Sequence, residues 1–361
     1  MKVRNTYMDV LGILSCIAVV YLHCSTVVFV NQGDLLWALS IVVQSCFCFA
    51  VPVFFMISGA NLIGYRSKYD TQTFLTKRIK RVALPLIGFS LLYYLLSCFA
   101  PSVFGLGARQ FNLFEFGRDV LTNRICDVYW FLYSIIALYA ITPLLSLASD
   151  SKRLLGYLLT LSFLSTAVIP LINRFAPTHD LLSLFVIPYL SGPLFFYLLG
   201  YYLERFADHL PIKRWIMVTL GLLSIAGMAF MTLRTNASHT VVSGAFAPFD
   251  NFYIHIYNLP CVMFSSCIFL LFRSFEGQFR CIPFFSSGVF RKIAQAPFYV
   301  YLIHMLIINT LDVYVPHRIL WDLGLRPLVV TVLAFAFSLV YIPLRTSIVR
   351  FARLHVGPGK A

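Results

Sequence analysis

The stretch YMDVLGILSCIAVVYLHCSTVVFV, residues 7–30, decides the fold. A membrane-spanning helix takes roughly 20 predominantly apolar residues at about 1.5 Å each, and this run is long enough to cross. His23 stands inside it, seven residues from the outer end. That places the imidazole about 10 Å below the outer membrane edge. An ionisable side chain at such depth is costly, and is kept where it faces a packed interior or a wet cavity. Lys2 and Arg4 precede the run as they would precede a signal peptide. The run is nevertheless too long for a signal h-region and has no small-residue cleavage site. Leu22-His23-Cys24 is a poor lipobox, because a bulky imidazole precedes the cysteine. The run reads as a retained first span.

Composition extends this reading to the whole chain. Of 361 residues, 60% are apolar and 12% charged, against about 25% charged in a soluble domain. The chain therefore reads as a single all-α, membrane-embedded domain over residues 1–361, a polytopic transmembrane helix bundle. Ten apolar blocks follow one another: 7–30, 35–63, 82–100, 127–148, 154–172, 184–203, 215–233, 252–272, 294–314 and 327–344. With the N-terminus inside, the inner segments hold 21 of the 28 Lys and Arg and the outer segments seven. The positive-inside rule then puts both termini in the cytoplasm.

Net charge is +14. Topology and attraction to anionic lipid heads account for much of it. The basic residues are spread over six loops with no soluble domain to present them, so no nucleic-acid partner is expected. One cluster stands out: Lys77, Arg78, Lys80 and Arg81, just before the third block. It reads either as an interfacial stop signal or as a dock for a phosphate-rich ligand. Seven of the nine cysteines fall inside apolar blocks, where cysteine behaves as a small hydrophobe. Cys46-Phe-Cys48 is neither a metal nor a redox pattern, and no metal is expected.

Several polar and aromatic residues remain as candidates. Asp9 opens the first span and has interfacial pairing as its plain explanation. Ser58, Gly59 and Asn61 lie near the inner end of the second block, where small residues usually mean close helix packing. Tyr129, Trp130 and Tyr133 stand at the outer end of the fourth, as an aromatic belt would. His304 lies in the middle of the ninth, where a histidine is more often a helix–helix hydrogen-bonder than a catalyst. Phe111, Phe114 and Leu121 suggest a helix lying along the interface.

The order of these segments resembles the acyltransferase-3 family of membrane proteins. The matching stretches are Tyr7-Met8-Asp9-Val10-Leu11 leading to His23, Val51 to Gly59, and Lys77 to Arg81 followed by Leu84-Pro85. Further along come Tyr129 to Tyr133 with Thr142-Pro143-Leu144, Phe196 to Tyr202, and Tyr299 to His304. The resemblance implies an O-acyltransferase of a bacterial plasma membrane. Such an enzyme moves an acyl group, commonly acetyl from acetyl-CoA, from the cytoplasmic face to a hydroxyl of an extracytoplasmic glycan. His23 would then be the general base, since neutral imidazole suits proton removal from a hydroxyl. Lys77, Arg78 and Arg81 would meet the donor phosphates. Ser58, Tyr129, Trp130 and His304 would line the acceptor side or the cavity.

Two positions depart from the family pattern. Its signature arginine, eleven positions before the histidine, is Gly12 here. Eleven helical steps return to within about 20° of one face, about 16 Å away. A histidine often found two positions before the tryptophan is Val128 here. Two function classes therefore stand: an active O-acyltransferase, or a family member that works as a transporter, translocator or accessory subunit.

Overall fold

The structure is a computed structural model that describes residues 5–30, 33–104, 110–176, 190, 192–207, 212–237 and 249–355. Among these residues the regular elements are all helical: α1 (Thr6–Cys24), α2 (Leu35–Phe47), α3 (Ala50–Leu62), α4 (Thr71–Phe99), α5 (Leu113–Leu121) and α6 (Trp130–Leu145). There follow α7 (Lys152–Phe163), α8 (Ile169–Phe175), α9 (Pro193–Phe206), α10 (Arg214–Asn236) and α11 (Leu259–Ser274). Three short helices, α12 (Glu276–Cys281), α13 (Pro283–Ser286) and α14 (Gly288–Ile293), lead to α15 (Pro297–Tyr314) and α16 (Arg326–His355). Nine helical segments of the described residues are long and apolar enough to cross a membrane. They coincide with nine of the ten blocks. The sixth block is represented by α9, and its first residues lie outside the described ones.

The chain is a polytopic all-α bundle with α1 inside it, packed against α2, α3, α11, α15 and α16. Two boundaries differ from the sequence reading, each for a local reason. The first apolar run does not continue as helix to Val30. It stops at Cys24, and Thr26–Phe29 forms a tighter turn. The hydroxyl of Ser25 donates to the carbonyl of Tyr21 at 2.9 Å, and the β-branched run Thr26-Val27-Val28 follows. His23 thus sits in the last turn of α1. The basic cluster does not precede its helix either. Asp70 accepts from the Thr73 N–H at 2.8 Å and starts α4 there, so Lys77 to Arg81 are already helical. Hydrogen bonds from Thr73 also hold the Asp70 carboxyl below the usual carboxylate range.

The second block is broken into α2 and α3 around Cys48-Phe49. Pro52 has no N–H to give the carbonyl four residues back, so the helix cannot run straight through. The surface helix expected near Phe114 is present as α5. Asn112 caps it by accepting from the Phe114 N–H at 2.9 Å, and Leu113, Phe114 and Leu121 stay exposed. The hydroxyl of Tyr133 fastens it through the carbonyl of Val120.

The closest helix pairing is α3 on α9, and it is backbone on backbone. A Cβ placed on Gly59 would overlap the Tyr197 carbonyl, and one on Gly200 would overlap Met56 backbone. Gly59→Ala and Gly200→Ala are each expected to destabilise the bundle by about 1–3 kcal/mol or more, as overpacking does. Thermal unfolding of the purified variants in one detergent checks this. Gly88→Ala serves as control, because nothing lies within 4 Å of its added Cβ.

Candidate functional site

A helix leaves its last four carbonyls without partners inside the helix. In α1 these belong to Tyr21, Leu22, His23 and Cys24, and an apolar setting makes them costly. Ser25 serves the Tyr21 carbonyl with its N–H and hydroxyl, and side chains from two other helices meet those of Leu22 and Cys24. Gln44 of α2 donates to the Leu22 carbonyl at 2.8 Å and to the Ser25 hydroxyl at 2.9 Å. Arg326, at the start of α16, donates from Nη1 to the Cys24 carbonyl at 3.3 Å. The turn that carries His23 is therefore clamped from both sides.

The clamp holds His23 against His304 of α15, with ring centroids 5.2 Å apart. His304 is fully buried. Its Nδ1 lies 2.8 Å from the Tyr301 carbonyl, which can only accept, so Nδ1 carries the hydrogen. The neutral ring then keeps a lone pair on Nε2, a buried atom with no hydrogen-bond partner among the described residues. Two tyrosines fix this part of α15. Tyr129 donates from its hydroxyl to the Leu302 carbonyl at 2.8 Å, and the Leu306 N–H donates to the Tyr93 hydroxyl at 2.8 Å. Those two backbone groups pair with each other in an uninterrupted helix, so the tyrosines enter the ladder on either side of His304.

On the side of the basic loops lies a cavity of about 360 Å³. Asp9, Gly12, Ser58, Arg81, Gln295 and Tyr301 line it, with the aromatic walls Phe54, Phe131, Tyr139 and Phe298. Asp9, Gly12, Ser58 and Arg81 are thus brought together, as candidates for one site should be. Pro85, one turn on, has no N–H to give the Arg81 carbonyl. Gly12 faces open space: its added Cβ meets nothing nearer than Ile57 Cδ1 at 4.0 Å.

Other candidates lie elsewhere. Arg78 donates to the Tyr69 hydroxyl at 3.2 Å, and Lys77 sits over the Tyr69 ring at 5.2 Å. Neither lines the cavity, and Arg81 is the one cation among its lining residues. Trp130 packs against Phe55 and Phe131 at the cavity's back. His23 and His304 do not line the cavity. Tyr301 stands between: it lines the cavity, and its ring centroid is 5.6 Å from that of His304. Its hydroxyl donates to the Val128 carbonyl.

Sequence reasoning counted Arg326 among outer-loop charges, yet the side chain is 1% exposed. It pairs with Asp322 at 2.9 Å and with Asp312, and Asp322 also meets His317 at 3.0 Å. A π-helical turn, Trp321–Leu325, sets up this geometry. The spacing Asp322 to Arg326, four residues on one helix face, was the available signal.

A bundle of apolar helices with an imidazole pair held above an aromatic-walled cavity defines a membrane protein with an internal polar site. The family model described as an acyltransferase domain matches residues 5–344. The chain belongs to that acyltransferase-3 family. No curated protein and no solved structure matches it.

Removing Arg326 leaves Asp322 buried without its cation and the Cys24 carbonyl without its donor. Breaking a buried pair in this way costs about 3–5 kcal/mol. Arg326→Ala is expected to lower thermal stability accordingly, and Arg326→Ala combined with Asp322→Asn by less than the single change. Unfolding of both variants alongside the parent measures the difference.

Proposed function

We propose that this protein is a membrane O-acyltransferase with His23 as general base. It moves an acyl group, by expectation acetyl, from cytoplasmic acyl-CoA to a hydroxyl of an extracytoplasmic glycan. The setting is a bacterial plasma membrane. One observation carries the reading: His23 is clamped in the last turn of α1 against a second imidazole whose tautomer a backbone carbonyl dictates.

The chemistry follows from that arrangement. His23 takes the proton of the acceptor hydroxyl as its oxygen attacks the thioester carbonyl. The C–O bond forms, the C–S bond breaks, and the CoA thiolate leaves with the proton that His23 took, which returns the imidazole to its neutral form. His304 Nε2, restricted to accepting, suits an N–H of His23 turned towards it, which would present the other His23 nitrogen to the hydroxyl. Arg81, at the inner cavity, supplies the charge for a donor phosphate, and the aromatic walls supply the passage for the acyl arm. Tyr301 separates passage from histidines and has to move aside for transfer.

A second reading rests on Gly12. Without an arginine there, and with Tyr301 between cavity and base, the chain works as a transporter, translocator or accessory subunit.

Transfer of label from radiolabelled acetyl-CoA to a mixed pool of surface-glycan acceptors, in nanodiscs, separates the two. The expected result is labelled product in the parent and a loss of about 10²- to 10⁴-fold in His23→Ala. His304→Phe is expected to lose less, and Arg81→Ala to raise the donor KM with a smaller change in kcat. Silence in the parent with activity in Gly12→Arg overturns the catalytic reading for the natural chain and supports the second.

A further inference from the structure

A second cavity, of about 570 Å³, opens at the other end of the bundle from the basic loops. It lies between the α7–α8 junction, the start of α9 and the segment leading into α11. Its volume falls within the range of roughly 300–1,000 Å³ typical of small-molecule sites. The transfer chemistry above makes no use of it.

Its floor is built, not incidental. A π-helical turn, Leu164–Val168, interrupts the α7–α8 helix and carries Thr166. Such turns recur at functional sites. The Thr166 hydroxyl accepts the Gly192 N–H at 2.9 Å. Gly192 has φ of +65°, and a Cβ there would press on the Tyr257 ring at 3.1 Å. Glycine is thus required both by conformation and by the aromatic wall. Asn258, 5% exposed, lines the cavity, and its amide Nδ2 has no hydrogen-bond partner among the described residues. A buried amide left unpaired costs about 1–3 kcal/mol, so this donor calls for an oxygen from a ligand.

The charges and rings narrow the ligand. Arg174 pairs with Asp250, and its guanidinium sits over the Phe252 ring at 5.2 Å. No second Lys or Arg is among the described lining residues, so they offer an anion no net attraction. At the rim His255 accepts the Tyr257 N–H at Nδ1, at 3.4 Å, which leaves its Nε2 as a donor in the neutral ring. Two donors, a carboxylate and flat aromatic walls fit a ring that carries several hydroxyls and one apolar face. Next along the chain from the lining residue Asp250, Phe249 packs on Phe29 of the turn after α1 and on Trp37 of α2.

We propose that the cavity at Asn258 binds a neutral, hydroxylated sugar unit. The inference deepens the proposed function, resting on the reading that the acceptor is a glycan, by giving that glycan a place to dock at the end of the bundle away from the basic loops. Asn258 Nδ2 and His255 Nε2 donate to ring hydroxyls, and Tyr257 covers the apolar face.

Saturation-transfer NMR on the full chain tests this, in nanodiscs free of sugar-headed detergent and without any acyl donor. The probes are methyl α-D-glucopyranoside, methyl α-D-mannopyranoside and methyl α-D-galactopyranoside, with glucose 1-phosphate as the anionic counterpart. At least one neutral glycoside is expected to receive saturation. The signal should fall at least fivefold in Asn258→Asp and in His255→Phe, and persist in His23→Ala. Asn258→Asp keeps the side-chain shape and adds a carboxylate at the N-cap of α11, where it favours the helix, so loss of binding is not loss of fold. The proposal is overturned if no neutral glycoside binds the parent, if both variants bind undiminished, or if glucose 1-phosphate is preferred. Binding in a chain that transfers nothing would sink the catalytic reading and leave this one standing.

Discussion

Everything at the centre of this bundle depends on how the end of α1 is satisfied. In water the last carbonyls of a helix find solvent. In an apolar interior they need protein donors, and few side chains reach. Gln44 and Arg326 supply them, from helices on different sides of α1. Arg326 cannot be buried alone, so Asp312 and Asp322 come with it. A requirement of backbone chemistry thus recruits a buried ionic cluster and fixes the turn that holds His23. Position of the imidazole is a by-product of closing the helix.

The other end of α1 is held as firmly by different means. Glu276 accepts the Thr6 and Tyr7 N–H groups at 3.0 and 2.7 Å, meeting the positive end of the helix with a carboxylate. Tyr7 and Asn5 bond to Glu204, which also pairs with Arg273 at 3.1 Å. With both ends tied, α1 acts as a ruler about 16 Å long between Gly12 at the inner cavity and His23 at the pair of rings. Neither end can slide without breaking a charged contact.

Much of this was legible in the sequence. Apolar run length and loop charge placed the spans, since burial of backbone in lipid leaves little freedom. Helical spacing placed Asp9, Gly12 and His23 on one helix, and all four residues named at the first cavity, Asp9, Gly12, Ser58 and Arg81, were already candidates for function or uncertainty. What the sequence hid was tertiary. That His304 faces His23, and that Arg326 turns inward, depends on which helices adjoin, and no periodicity encodes this. Lys77 and Arg78 read as equals of Arg81 along the chain. Helical rotation and the Tyr69 ring set them apart. The end of α1 at Cys24 was missed because apolar content says nothing about where a serine hydroxyl and a glutamine amide stop a helix.

The two departures from the family pattern meet in one place. Position 12 lies on the cavity wall with open space before it, so a long cation there would cross the cavity towards Arg81 and Ser58. Val128 does not line the cavity, and what it offers is its carbonyl, which accepts from the Tyr301 hydroxyl. Positions 12 and 128 are thus linked through Tyr301, which lines the cavity with Gly12, donates to the Val128 carbonyl and meets the His304 ring. Under the proposed transfer, loss of a charge at one end leaves the donor to Arg81. At the other, Tyr301 is tied to main chain, a partner that no substitution of Val128 other than proline nearby or a backbone shift removes. Opening the passage then requires that one tyrosine give up one hydrogen bond, about 1 kcal/mol net when the hydroxyl finds another partner and more when it does not. A donor arm carrying its own amide and carbonyl groups into the cavity offers such a partner. Under the proposed acyl transfer, entry of the donor and release of Tyr301 are a single event, and the histidine pair stays shielded until it occurs.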